Sequence, residues 1–134
     1  MSNRIRKTFE NKKKKLVTFT TGGDPDLDTS LKILNTIINN GIDLIEIGMP
    51  FSDPMADGPT IQESSVRSIS SGTKINGVFK IVNKVRTVNN EIPIILMGYY
   101  NSIFNMGIKN FTSKCADAGV DGLIIVDLQP EEDS

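Results

Sequence analysis

Four strand-length apolar runs recur along this chain with helical patterns between them: LVTFTT (Leu16–Thr21), DLIEIG (Asp43–Gly48), IPIILMGY (Ile92–Tyr99) and DGLIIVD (Asp121–Asp127). Each is rich in Ile, Val or Leu and nearly continuous in hydrophobicity, which suits parallel strands covered by helices rather than strands with one wet face. Leu27, Leu31, Leu34, Ile37 and Ile38 share one helical face, with Gly41 as a stop signal. Thr60-Ile-Gln-Glu63 reads as a capping box opening the next helix. Ile75, Val78, Phe79, Val82 and Val85 stripe another, and Ile108, Phe111, Cys115 and Ala118 stripe the last, ended by Gly119. The order is an N-terminal helix followed by β-α-β-α-α-β-α-β. Such alternation predicts an α/β unit with a parallel sheet and right-handed crossovers.

No linker or low-complexity segment interrupts residues 1–134, so the chain reads as a single unit. After the fourth run comes Gln129-Pro130-Glu131-Glu132-Asp133-Ser134, and proline followed by acidic residues is how a helix begins. The expectation is a (β/α)8 TIM barrel represented by its first four strands, a half-barrel interrupted where the helix after strand four starts. A flavodoxin-like open sheet with a short tail is the alternative. Half a barrel buries little relative to ~1–2 kcal/mol per residue of backbone ordering, so self-association or loose packing is expected of the chain alone.

Composition narrows the function mainly by exclusion. A net charge of −1 gives no general attraction to nucleic acid or an anionic membrane. The one basic run, Lys12 to Lys15, is expected to cap the end of the N-terminal helix. No apolar stretch approaches the ~20 residues of a membrane span. Cys115 is the single cysteine, which fits a reducing cytoplasm and a small buried side chain. With no histidine in the chain, Ser–His and Cys–His dyads and histidine metal cages are excluded. Acid–base work falls to carboxylates, lysine, tyrosine or water.

Ligand sites in parallel α/β folds form where strands end and loops lead into helices. Those ends hold Phe19 to Pro25, Glu46 to Pro59, Met97 to Asn101, and Asp127. Alternation in DLIEIG puts Leu44 and Glu46 on one face and Ile45 and Ile47 on the other. If the isoleucines pack beneath helices, Glu46 points into the barrel mouth. A buried salt bridge is the competing reading, weakened because no basic residue stands at a strand end. The following loop, GMPFSDPMADGPT, contains three prolines and two glycines, which restrict its backbone and could hold Asp57 at a defined place. Asp53 and Asp57 both lie beside Pro or Gly, so ordinary turn chemistry competes for each.

The run EIGMPFSDPMADGPTIQ (Glu46–Gln62) resembles the signature of the tryptophan synthase α subunit family, with the spacing of Glu46 and Asp57 preserved. TTGGDPD (Thr20–Asp26) is similar to that family's first βα turn, and MGYYN (Met97–Asn101) to its third strand. The resemblance covers nearly all of residues 4–134. It implies a barrel lyase that cleaves indole-3-glycerol phosphate to indole and glyceraldehyde 3-phosphate by a retro-aldol step, with no metal or organic cofactor in this subunit. It assigns Glu46 as general acid–base and Asp57 as the carboxylate that accepts the indole N–H. Phe19, Met97 and Tyr99 match positions at the indole pocket, with simple barrel core as the alternative. Asp127 matches a strand-four carboxylate near the site, with a structural role as its competitor.

Pro50, Phe51, Ser52, Asp53 and Asn101 match surfaces that meet a β subunit, which carries pyridoxal phosphate, in an α2β2 assembly. Gln129 departs from the proline common in the family, which puts that contact in doubt. The family's phosphate site comes from later strands, so residues 1–134 alone are expected to lack lyase activity. Two readings compete: a non-catalytic half-barrel that pairs with itself or docks on a β subunit, and another phosphate-sugar barrel such as an indole-glycerol phosphate synthase or an epimerase. The second leaves the paired PFSDP and ADGPT elements unexplained.

Overall fold

In the computed structural model, residues 2–129 are described. The order is α1 (Asn3–Phe9), β1 (Val17–Thr21), α2 (Leu27–Asn39), β2 (Leu44–Gly48), α3 (Pro59–Ser70), α4 (Ile75–Val88), β3 (Ile94–Gly98), α5 (Tyr100–Met106), α6 (Ile108–Ala118) and β4 (Gly122–Ile125). All four strands pair in parallel in the order β1-β2-β3-β4. Consecutive strands are therefore neighbours, as in one arc of a barrel wall. The helix-start signal at Pro130 lies outside the described residues.

The core sits between one face of the sheet and its helices. Ile45, Ile47, Ile94 and Leu96 are fully buried against Leu34 of α2, Val78, Val82 and Val85 of α4, and Phe111 of α6. The Phe79 and Phe111 rings pack at 5.7 Å in a tilted arrangement. Burying each of these aliphatic side chains contributes about 1.5–3 kcal/mol. The helix stops at Gly41 and Gly119 hold: both glycines have positive φ, and Gly119 caps α6 in the left-handed region.

Beneath the sheet, α1 is tied to the N-terminal ends of β3 and β4 through Asp121. Its buried carboxylate accepts from Arg86 at 2.6 Å, from Arg4 at 3.0 Å and from the Ile94 amide at 2.9 Å, with the Ser2 hydroxyl alongside. The large cost of burying a charge is offset here by two cations and a backbone donor.

Three sequence expectations are corrected. Helix α1 ends at Phe9 with Arg6 and Lys7 in its last turn, so Lys12 to Lys15 lie beyond it. Lys15 instead reaches Asp43 at 3.6 Å. Thr60 opens no capping box: Pro59, with its preset φ and no N–H, takes the first helical position, Gly58 is the cap, and no side chain bonds to the turn as a cap. The chain also enters α5 at Tyr100, so Tyr100 and Asn101 begin an additional short helix rather than ending the third strand. Among the described residues, no helix is long and apolar enough to cross a membrane.

Candidate active site

At the C-terminal ends of the strands a small hollow opens, lined by Phe19, Thr21, Gly48, Met49, Asp57, Ile61, Ser65, Met97, Gly98, Tyr99 and Val126. Four of the residues singled out from sequence, Phe19, Asp57, Met97 and Tyr99, thus come together there. Their strands explain why. Register pairs Phe19 with Glu46 and Gly48 with Met97, so their side-chain positions fall on one face of the sheet. A methyl group on Gly48 would stand 2.6 Å from Cζ of Phe19. Glycine there lets the phenyl ring lie across the end of β2.

Glu46 stands on that same face, two residues before Gly48, and Ile45 and Ile47 on the other are fully buried beneath helices. It is half-buried and pairs in register with Phe19, which lines the hollow, but Glu46 itself is not among the lining residues. None of the ion pairs among the described residues involves Glu46, so no basic neighbour neutralises it.

Asp57 is held from several sides. Its amide donates to the Pro54 carbonyl at 3.0 Å, and its carbonyl accepts from the Gln62 side chain at 2.9 Å. Its Oδ2 accepts from the Tyr99 hydroxyl at 3.1 Å, and that hydroxyl also accepts from the Ala56 amide at 2.9 Å. Burial pushes the Tyr99 phenol up from its ordinary value; the Ala56 amide opposes this and the Asp57 carboxylate adds to it. The Tyr99 ring stacks on Phe51 at 5.2 Å.

Helix α3 supplies the back wall and is bolted to the turn after β1. Thr21 and Ser64 share a hydroxyl contact of 2.6 Å, Ser68 donates to the Gly22 carbonyl at 2.7 Å, and Arg67 grips Asp24 with two bonds of 2.8 Å. Asp57 immediately precedes this helix, so these contacts indirectly fix where it stands. Thr21, Met49, Ile61, Ser65 and Val126 line the hollow without having been singled out. Ile61 and Ser65 are four apart on α3, a spacing that places both on one helical face and could have flagged them.

The remaining predicted residues lie elsewhere. Asp127 is exposed and outside the hollow; its Oδ1 accepts from the Tyr100 amide at 2.7 Å, which is the structural role weighed for it. Ser52, Asp53 and Asn101 are exposed, and Pro50 and Phe51 are partly buried. Cys115 is on the buried face of α6, and desolvation pushes its thiol up to about 11. Among the described residues no group of His, Cys, Asp or Glu could hold a metal ion.

Comparison with known proteins bears on the family and the fold. A family model described as tryptophan synthase alpha chain matches residues 5–134. The tryptophan synthase alpha chain of Geotalea daltonii is 53% identical over 132 residues, covering 98% of this chain and 50% of that protein. The solved alpha subunit from Legionella pneumophila superposes with a TM-score of 0.94 at 40% identity, over 98% of this chain and 52% of that one. A chain of the tryptophan synthase complex from Pyrococcus furiosus gives 0.82 at 41% identity, over 88% and 50% respectively. The chain thus spans about half the length of the relatives it matches.

Proposed function

This chain belongs to the tryptophan synthase alpha chain family, and from that premise we propose that it forms the first half of a barrel lyase that cleaves indole-3-glycerol phosphate to indole and glyceraldehyde 3-phosphate. The observation that supports the reading is that Phe19 lines the hollow with Asp57 and is also the register neighbour of Glu46 on the open sheet face. Glu46 rises from β2 without a cationic partner, and Asp57 is held at the edge of an apolar hollow beside Phe19 and Met97.

The chemistry divides between them. Protonation of indole C3 places positive charge on the ring nitrogen, cleavage of the carbon–carbon bond then returns its electron pair to the ring, and an anion fixed beside that nitrogen stabilises the cationic stage more than the ground state. Asp57 takes that role by accepting the N–H. Glu46 takes the proton from the glycerol hydroxyl and delivers one to indole C3. Positioned proton transfer of this kind contributes ~10²–10⁴-fold. Phe19, Met97 and Tyr99 present a flat apolar surface to the ring. Asp127 acts at one remove, through the start of α5.

Binding energy from a remote phosphate orients the reacting centre, and in barrels that anchor comes from the later strands. Residues 1–134 alone are therefore proposed to be inactive, and the activity belongs to the barrel completed by a second half. The exposed Ser52, Asp53 and Asn101, with Pro50 and Phe51, form the surface proposed to meet a β subunit. The deciding experiment joins this chain to the second half-barrel of the Legionella pneumophila relative and follows indole release from indole-3-glycerol phosphate. Release by the joined protein and its near-complete loss in Glu46→Gln are expected; equal rates with and without Glu46 would end the proposal.

A further inference from the structure

The Tyr99 hydroxyl is more constrained than a pocket lining requires. The Ala56 amide donates to it at 2.9 Å, so its own proton is free to point elsewhere, and the acceptor in reach is Asp57 Oδ2 at 3.1 Å. The ring is 5% exposed and stacks on Phe51 at 5.2 Å and 26°. One side chain therefore grips both ends of the Phe51–Asp57 segment. From behind, the Asp127 carboxylate holds the Tyr100 amide at 2.7 Å and fixes the backbone from which Tyr99 projects.

We infer that Tyr99 is a positioning residue for Asp57: its hydroxyl occupies Oδ2 and leaves Oδ1 as the oxygen that meets the substrate's ring nitrogen. The inference rests on the reading of Asp57 proposed above. A carboxylate on a loop can rotate about its side-chain torsions, and an anion that must rotate into place during the reaction loses part of its effect. Engaging one oxygen removes that freedom, and loss of a hydrogen bond to a charged group lowers the rate roughly 10- to 100-fold. The separation of roles is testable because Phe keeps the ring, the stack on Phe51 and the apolar lining, and loses only the hydroxyl.

In the joined barrel, Tyr99→Phe is expected to lower kcat roughly 10- to 100-fold while KM stays within about twofold, since ground-state contacts survive. Tyr99→Leu, which also loses the stack, is expected to raise KM as well. Glu46→Gln measured alongside separates the two proposals. If Glu46→Gln retains turnover, the lyase reading fails; if it is inactive and Tyr99→Phe matches wild type, the Tyr99 inference alone fails. A second readout uses the chain as it stands. Tyr99 and Tyr100 are its two tyrosines, so ultraviolet titration in a Tyr100→Phe background reports the Tyr99 phenol alone. Asp57 and Asp127 are the charged groups acting on that phenol. Asp57→Asn is expected to lower its titration midpoint, and an unmoved midpoint overturns the inference whether or not the joined barrel turns over.

Discussion

The two faces of the sheet carry different kinds of side chain. Towards the helices, Ile45, Ile47, Ile94 and Leu96 are fully buried among other apolar side chains. On the opposite face, Glu46, Phe19, Ile95 and Met97 are half-buried, and Ile124 is 38% exposed. Because side chains alternate along a strand, neighbouring residues of β2 belong to different regimes. On β2 and β3 the helix face holds only apolar side chains that pack, while at the sheet edges it also holds Thr18, Thr20 and the partly exposed Leu123. The other face carries a carboxylate that no packing argument explains, together with aromatic and thioether side chains around a hollow. Stability and chemistry are thus written into the same strand at alternate positions.

That division can be broken by substitution on either side. After the near-complete loss expected of Glu46→Gln, the largest effect is expected at Asp57, which serves the open face: in the joined barrel Asp57→Asn should slow indole release by ~10²–10³-fold, the range seen when a charge-stabilising group is lost. Its melting temperature should barely move. On the helix face the pattern inverts, and Ile45→Ala should cost about 3 kcal/mol of stability, read from the denaturation midpoint. Gly48→Ala sharpens the comparison, since its methyl group would meet the Phe19 ring at 2.6 Å. Overpacking of about 1–3 kcal/mol is expected there, with indole binding weakened as the ring is displaced.

The smallest effect concerns Cys115, behind the helix face. Its folded thiol titrates at about 11 against an ordinary value of 9.0. The folded state therefore holds its proton more tightly than the unfolded chain. The contribution is complete below pH 9 and is lost as pH rises through the folded value near 11. Chemical denaturation across that window should show a decline that is shallower in Cys115→Ala, the rest coming from groups such as Tyr99, and the native thiol should react slowly with disulfide reagents at neutral pH.

Much of this arrangement was legible in the residues. The alternation in DLIEIG sorted Ile45 and Ile47 from Glu46 because a parallel strand has one period and its apolar partners one destination. The helical stripes of α2, α4 and α6 were legible in their middles, where Leu34, Val78, Phe79, Val82, Val85, Phe111, Cys115 and Ala118 are buried, but Leu27 and Ile108 at the helix starts are exposed. Helix α5 was not, because it is 7 residues long and buries only Ile103. The start of α3 is harder to read, because Thr60 and Glu63 mimic a capping box while the Pro59 ring already fixes the first turn. The grip of Tyr99 on Asp57 could not be read at all: the partners are 42 residues apart, and no local pattern reports such a contact.

Catalysis by Glu46 requires its side chain to project from the face of β2 that the helices leave open. Single cysteines at position 46 and at position 47, each in a Cys115→Ala background of the 134-residue chain, test this by their rates of reaction with a water-soluble thiol reagent. Rapid labelling of Glu46→Cys and strong protection of Ile47→Cys are predicted, in line with the half-buried and fully buried side chains they replace. Protection at position 46 with rapid labelling at position 47 would place the carboxylate under the helices and contradict the account.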